Sequence, residues 1–558
     1  MTSEMTRLKV ENAIEGLNPN TPSTDRLTIE NKIELCHQCL DGLVENAREW
    51  TESAVLAKGM PADTPFRAED MLTGPVVVAR QLQLTIQSLK GTNSEKSPTL
   101  PGTPVRLPTQ QLCAPVFPTN GYFDSLTFMG LKAVVRMQKG VDETSIHGSI
   151  PEQIADGNIR GISAVLGAGN VSSIPITDSL NRIMFEGRRV ALKMNPVNKY
   201  LAPVFEKAFA PLIRENVFAV ITGGADVGTE LIQHSLVDDV HITGSAATHD
   251  AIVWGSDAVA ALARKRENSP ILSKPVSSEL GNVTPWIVVP GQYSSRQLHS
   301  QAQHIATSIT NNASFNCLAT KMVVTWKRWP QREQFLGLIQ QYLKATPQRP
   351  AYYPGAPERY QRFSRTEVSP DDQNRLPWLL LTDQKHDDHP ELFQEESFVC
   401  VCGETQLDAE SPSGFLQAAT DFTNEQMTGT LCVSLTIPSG FDRRYPDAFE
   451  YALANLRYGS VCVNQWSGLA YGLISPPWGA YPGATLQDVQ SGIGNVHNTY
   501  LLDKIEKTVL RGPLINFPKP IWFPSHRNAV SVAEQLLKLY HRPSVMRLPR
   551  LFAGALTG

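Results

Sequence analysis

The chain reads as an α/β protein built on a doubly wound parallel sheet, and two observations carry that reading. From about residue 160, short apolar runs alternate with helix-patterned stretches: "GISAVLGAG" (161–169), "RRVALKMN" (188–195), "VFAVITGG" (217–224) and "DVHITG" (239–244). Continuous apolar runs are expected for strands buried on both faces, and glycines mark the strand ends. A second α/β unit follows, with a strand at 284–291 ("TPWIVVPG"), a helix over 296–312 and a strand at 321–327 ("KMVVTWK"). Further strand candidates are "ESFVCVCGET" and "GTLCVSLTIP". Ligands of such sheets bind at the carboxyl ends of the strands.

The flanking segments are read in order. Residues 26–58 place Ile29, Ile33, Cys36, Leu40, Leu43 and Ala47 at helical spacing, which predicts one buried helix face. Residues 91–120 are rich in Pro, Thr, Ser and Gly and predict a loop or extended connection. The tail, 526–558, carries an amphipathic helix ("NAVSVAEQLLKLY") and then a basic-apolar end with Arg542, Arg547, Arg550, Leu548, Leu551 and Phe552. Packing of that end on a neighbouring domain or subunit is favoured over contact with a membrane.

Composition excludes several function classes. A chain of 558 residues is long enough for two to four domains. A hydrophobic share of 41% with 19% charged residues is that of a soluble globular protein. The net charge of -4 gives no reason to expect nucleic acid as a partner. No apolar run is long enough for a spanning helix, and the polar N-terminus lacks a secretory h-region. The eight cysteines show no regular framework, which fits a reducing, cytoplasmic setting. "CHQC" (36–39) lies in a helical pattern without a second CxxC pair, so it reads as core, and no metal site is expected.

Cys317, in "NNASFNCLATKMVV" (311–324), stands among small and amide residues. Glu279 lies earlier, in "PVSSELGNVTPWIVV"; "DVHITGSAATHD" precedes it; "VLGAGN" with Asn170 and "VALKMNP" with Lys193 come first; "EESFVCV" follows. In this order and at these spacings, roughly residues 160 to 480 resemble the aldehyde dehydrogenase superfamily. The resemblance implies a Rossmann-type parallel-sheet cofactor domain, an α/β catalytic domain and a small oligomerisation element. The boundaries follow as 1–280 for the cofactor domain with its N-terminal helices and Pro-rich insert, 281–475 for the catalytic domain, and 476–558 for a C-terminal segment that returns to the cofactor domain, oligomerises or packs.

The chemistry explains the set of residue types. A thiolate adds to an aldehyde carbonyl, hydride leaves for a nicotinamide, and water hydrolyses the thioester. Cysteine is both a good nucleophile and a good leaving group. The alkoxide needs fixed donors, and the attacking water needs a base. By motif position the resemblance implies Cys317 as nucleophile, Glu279 as general base and Asn170 as the oxyanion-hole amide beside the Cys317 backbone N–H. It implies Lys193, Gly244, Ser245, Glu396 and Phe398 as contacts of NAD or NADP. A homodimer or homotetramer is expected from the same resemblance.

Several positions depart from the family pattern. His249 replaces a glycine after "TGS", Pro196 stands where a ribose-binding glutamate is frequent, and Ser179 replaces a lysine. "ELGN" and "FVC" replace "ELGG" and "FGP". The loss at Pro196 leaves both NAD and NADP open. Two other readings compete with aldehyde oxidation to the acid. "GAGNV" resembles CoA-acylating dehydrogenases and acyl-CoA or thioester reductases on the same fold, although Glu279 favours hydrolysis. The altered glycine and lysine positions suit an inactive scaffold, against which Cys317 and Glu279 weigh.

Overall fold

The computed structural model describes residues 3–17, 26–121 and 123–558. Its strands, in chain order, begin with β1 (Val105–Arg106), β2 (Leu112–Phe117), β3 (Lys132–Met137), β4 (Ile162–Leu166), β5 (Arg189–Lys193), β6 (Phe218–Ile221), β7 (Val237–Gly244), β8 (Val276–Leu280) and β9 (Pro285–Val288). They continue with β10 (Met322–Trp326), β11 (Leu379–Leu381), β12 (Val401–Leu407), β13 (Cys432–Thr436), β14 (Ser460–Val463), β15 (Trp478–Gly479), β16 (Gly492–Ile493), β17 (Asn495–His497) and β18 (Ile505–Arg511).

The expected doubly wound sheet is present, with the order β16-β8-β7-β4-β5-β6. All its pairs are parallel except β16 against β8. Strands β4 and β5 are buried almost throughout, as their unbroken apolar runs require. The chain passes from β4 outward to β6, then returns to the other side of β4 as β7. That reversal opens a crevice at the carboxyl ends of β4 and β7. The "GAGN" turn follows β4, Lys193 ends β5 and Gly244 ends β7, so the candidate residues come to one edge of the sheet.

A second sheet holds ten strands in the order β1-β2-β3-β18-β14-β13-β9-β10-β12-β11. From β18 to β11 its neighbours are parallel, and β1, β2, β3 and β18 pair antiparallel. Two differences from the sequence reading stand out. The Pro-rich stretch 91–120 contains β1 and β2, and the helix Val77–Glu95 runs into it. The apolar run of β2 is flanked by prolines and carries Pro115, beside which the pairing with β3 shifts register. A proline inside a strand is tolerated at such an irregularity. Strands β1 to β3 also lie in the ten-stranded sheet, although they fall within the segment 1–280 expected to form the cofactor domain. In the C-terminal segment, β16 pairs with β8 while β18 joins the ten-stranded sheet.

The helix Ile29–Ala57 forms as its spacing predicts. Thr28 caps it by accepting from the Asn31 amide at 3.2 Å. Its buried face packs on the helices Val77–Glu95 and Ala202–Ala208. Gly42 permits the second contact, since a Cβ there would stand 2.5 Å from the Ala208 carbonyl oxygen. Cys36 and Cys39 are fully buried in this core, and among the described residues no cluster of His, Cys, Asp and Glu suits a metal. The tail helix Ala529–His541 packs on the helices Ile29–Ala57 and Val77–Glu95, and the helix Leu548–Leu556 packs on it. Leu548 and Leu551 are buried, whereas Arg542 and Arg550 are exposed. No described helix is long and apolar enough to cross a membrane.

Candidate active site

Cys317 lies in the turn between the helix Ser295–Thr310 and β10, and three contacts fix its backbone. The Thr284 hydroxyl, just before β9, donates to the Cys317 carbonyl at 2.7 Å. The Trp466 indole donates to the Leu318 carbonyl at 2.7 Å, and the Leu318 amide donates to the Asn316 side chain at 3.0 Å. Ahead of the cysteine, Asn312, Ala313 and Ser314 all have positive φ (52°, 53° and 70°). Such conformations cost energy for residues other than glycine and need support from outside the loop.

That support comes from two lysines. The Lys321 ammonium donates to the Ser314 carbonyl at 2.9 Å and to its hydroxyl at 3.1 Å. Lys58, at the end of the helix Ile29–Ala57, donates to Asn312 Oδ1 at 2.8 Å and pairs with buried Asp70. The Asn312 amide in turn donates to the carbonyls of Asn170 (2.9 Å) and Phe315 (2.8 Å). Sequence reading missed Lys58, Asn312 and Lys321. Asn312 stands in the stretch that drew attention to Cys317, but nothing along the chain ties it to Lys58.

Glu279 sits in β8, opposite Thr243 of β7 and Gly492 of β16. The Cys317 thiol donates to its Oε1 at 3.6 Å, so residues thirty-eight positions apart meet. Burial pushes the Glu279 carboxyl up to about 8, helped by nearby Asp178 and Glu396. Burial and the same Glu279 and Glu396 carboxylates hold the Cys317 thiol well above its ordinary value. Asn170 is 8% exposed, and its amide donates to the Phe315 carbonyl at 3.2 Å, two residues from Cys317.

Of the other candidates, Lys193 and Gly244 end β5 and β7, Ser245 follows Gly244, and Glu396 and Phe398 stand in the loop before β12. Lys193 is mostly buried, and its pKa is lowered by desolvation. Ser245 caps the helix Ala246–Trp254 by accepting from the Thr248 amide at 3.1 Å. Gly244 and the first turn of that helix are exposed, and no atom lies within 4 Å of where a Gly244 Cβ would be. His249, at the departing glycine position, is fully buried against Asp250. Glu396 lies over Gly281 and near Lys321; burial raises its pKa to about 7, and its Oε1 is buried without a hydrogen-bond partner. Phe398 has φ 43° and packs edge-on against Tyr353 at 5.0 Å.

Cys317 and Glu279 open into a cavity of about 200 Å³ that reaches Phe128, Trp466, Trp478 and Trp522. Asn170 is not part of its lining, whereas its neighbour Val171 is.

Comparison with known proteins bears on the fold and on the stretch that carries most of these residues. The model of the aldehyde dehydrogenase family matches residues 161–350, which carry Asn170, Lys193, Gly244, Ser245, Glu279 and Cys317. Among solved structures, an indole-3-acetaldehyde dehydrogenase in complex with NAD+ is similar at 16% identity, with a TM-score of 0.60 over 91% of this chain and 89% of that one. An NAD-dependent aldehyde dehydrogenase of Sinorhizobium meliloti is similar at 15% identity and TM-score 0.60, over 93% and 88% of the two chains. A glyceraldehyde-3-phosphate dehydrogenase of Methanocaldococcus jannaschii in complex with NADP is similar at 14% identity and TM-score 0.58, over 91% and 95%. A search of curated proteins gives no match. At these identities the structural likeness establishes the fold, and the family model matches the stretch 161–350 that carries six of the candidate residues.

Proposed function

We propose that the protein oxidises an aldehyde to a carboxylic acid with NAD or NADP. The observation that carries this reading is the Cys317 thiol at 3.6 Å from the Glu279 carboxylate, at the head of a cavity. Ionised Glu279 takes the thiol proton, and the thiolate adds to the aldehyde carbon to give a thiohemiacetal. The Asn170 amide has a second N–H beyond the one it gives to Phe315, and with the Cys317 backbone N–H it steadies the alkoxide. A nicotinamide dinucleotide, when bound, supplies the hydride acceptor. The chain carries the substrate on Cys317 throughout, as thiohemiacetal and then as thioester. Glu279, ionised again by losing its proton to solvent, takes a proton from water. The resulting hydroxide displaces the Cys317 thiolate and frees the acid.

The residues of the crevice fit a dinucleotide. Exposed amides in the first turn after Ser245 suit an anionic pyrophosphate. The orphaned, buried Glu396 Oε1 lacks the donor that a ribose hydroxyl would give it. Lys193 provides a cation beside Gly228 at the end of β5. Phe398 would lie next to the ring. A homodimer or homotetramer, tested by sedimentation, is the assembly we propose. All eight cysteines are free thiols, which supports residence in a reducing compartment such as the cytoplasm.

The test is an assay of aldehydes with NAD and NADP separately, with and without CoA, following nicotinamide reduction and identifying the product. Free acid without CoA is the expected product, and Cys317→Ala should abolish it. Acyl-CoA formed only in the presence of CoA would instead favour the thioester reading, which the "GAGNV" turn suggests. No reduction at all would favour the scaffold.

A further inference from the structure

The cavity at Cys317 continues as apolar surface well beyond the reacting atoms. Phe128, Ile521, Trp522 and Leu536 line it and also line a second hollow that reaches Leu551 and Phe552 of the last helix. The path therefore runs from the thiol, past the kinked segment Leu72–Val76, to the C-terminal helices. Its walls are largely aromatic and aliphatic.

Charged side chains along the lining are already engaged. Glu69 accepts from the Asn312 amide at 2.7 Å and from Arg349 at 2.9 Å. Both terminal nitrogens of Arg80 donate to Asp124 at 2.8 Å, its Nε donates to the Leu473 carbonyl at 2.7 Å, and rings of Phe117, Phe128 and Tyr540 surround it. The amides nearest the thiol are paired as well, since Asn316 donates to Asn311 at 2.7 Å. A charged group along the substrate's length would find no free counter-ion here, which selects against it; the unpartnered polar atoms of the lining are the Trp522 Nε1 and the two ring nitrogens of His526. An apolar tail loses nothing and gains burial.

The geometry points to long, unbranched apolar aldehydes as the substrates, with the carbonyl at Cys317 and the alkyl tail laid toward Trp522 and Leu536. This rests on the dehydrogenase reading for its chemistry, but the tail site is tested by binding alone. The probes are straight-chain aldehydes from acetaldehyde to dodecanal, with benzaldehyde as a compact aromatic. The protein is the full-length Cys317→Ala variant, which binds without forming a covalent adduct. Quenching of the tryptophans lining the cavity reports the Kd.

We expect the Kd to fall about fourfold per added methylene until the tail fills the path. Leu536→Trp and Leu72→Trp, made in the same background, should weaken decanal about tenfold and change acetaldehyde less than about twofold. Equal affinity for acetaldehyde and decanal, or benzaldehyde binding more tightly than decanal, would overturn the inference. The chain-length series decides even if a filling variant does not fold. Absence of nicotinamide reduction by the wild-type chain, with the chain-length gradient intact, would overturn the dehydrogenase reading and leave the tail site standing.

Discussion

The Glu279 carboxyl is raised to about 8 because burial penalises its charge and because Asp178 and Glu396 stand nearby. In the base role proposed for it, it is therefore strong when ionised but largely protonated at pH 7. The sign follows: kcat/KM for aldehyde oxidation should rise about tenfold per pH unit below the Glu279 pKa and level off above it. Glu279→Gln should remove that rise and lower the rate by about 10²–10⁴-fold, read from a pH–rate profile of both proteins. The grouping of Cys317, Glu279 and Asn170 in space was legible because each stands in a short stretch with its own composition, and their order is informative. Lys58 was not, because its partner Asn312 lies 254 positions away and a lysine at a helix end is ordinarily solvated. Lys321 was hidden for a different reason. It sits four residues after Cys317 in plain view, but only the backward turn of 312–314 brings Ser314 over it.

Among elements, the strands of the six-stranded sheet were the most readable, since burial on both faces imposes continuous apolar runs. Strand β2 was the least readable, because its run is short and prolines flank it. Strand β12 begins at Val401, later than "ESFVCVCGET" suggests, because Glu396 and Phe398 belong to the loop that reaches back toward Gly281. The helix Ile29–Ala57 was legible as an amphipathic helix, but not as a support of the turn that carries Cys317. Its last contact, Lys58 with Asp70 and Asn312, is buried. Lys58→Met should leave Asp70 without its cation and destabilise the fold by about 3–5 kcal/mol, measured by denaturant unfolding. The same variant should lower kcat more than it raises KM, because Asn312 then loses one of the contacts that hold Asn170 and Phe315 in place. Unchanged kinetics alongside reduced stability would assign Lys58 to the fold alone.

The molecule as a whole holds buried titratable groups of both kinds, and their opposing signs shape its stability. His304 is lowered to about 4 and His497 to about 3, both by burial. Between those values and their ordinary 6.5, the unfolded chain binds protons that the folded chain does not, so these histidines make stability rise with pH. Glu279 and Glu396 act the other way. Burial raises them to about 8 and about 7 from an ordinary 4.5. The folded chain keeps protons that the unfolded chain releases, so their contribution falls as pH rises from 4.5 through those values. Below pH 6.5 the two pairs oppose each other. Above it the histidines are neutral in both states, and the carboxyls are opposed only close to pH 8, where burial has lowered Lys32, Lys321 and Lys507 to about 8. Stability should therefore fall between pH 6.5 and 8, by about 1.4 kcal/mol per pH unit for each retained proton. Thermal midpoints at pH 6.5, 7.25 and 8 in matched ionic strength would register this as a steady decrease. Glu279→Gln cannot ionise, so its midpoint should fall less over the same range and should lie above that of the wild type at pH 8. A parallel decrease in both proteins would place the cost elsewhere than in the carboxyl beside Cys317.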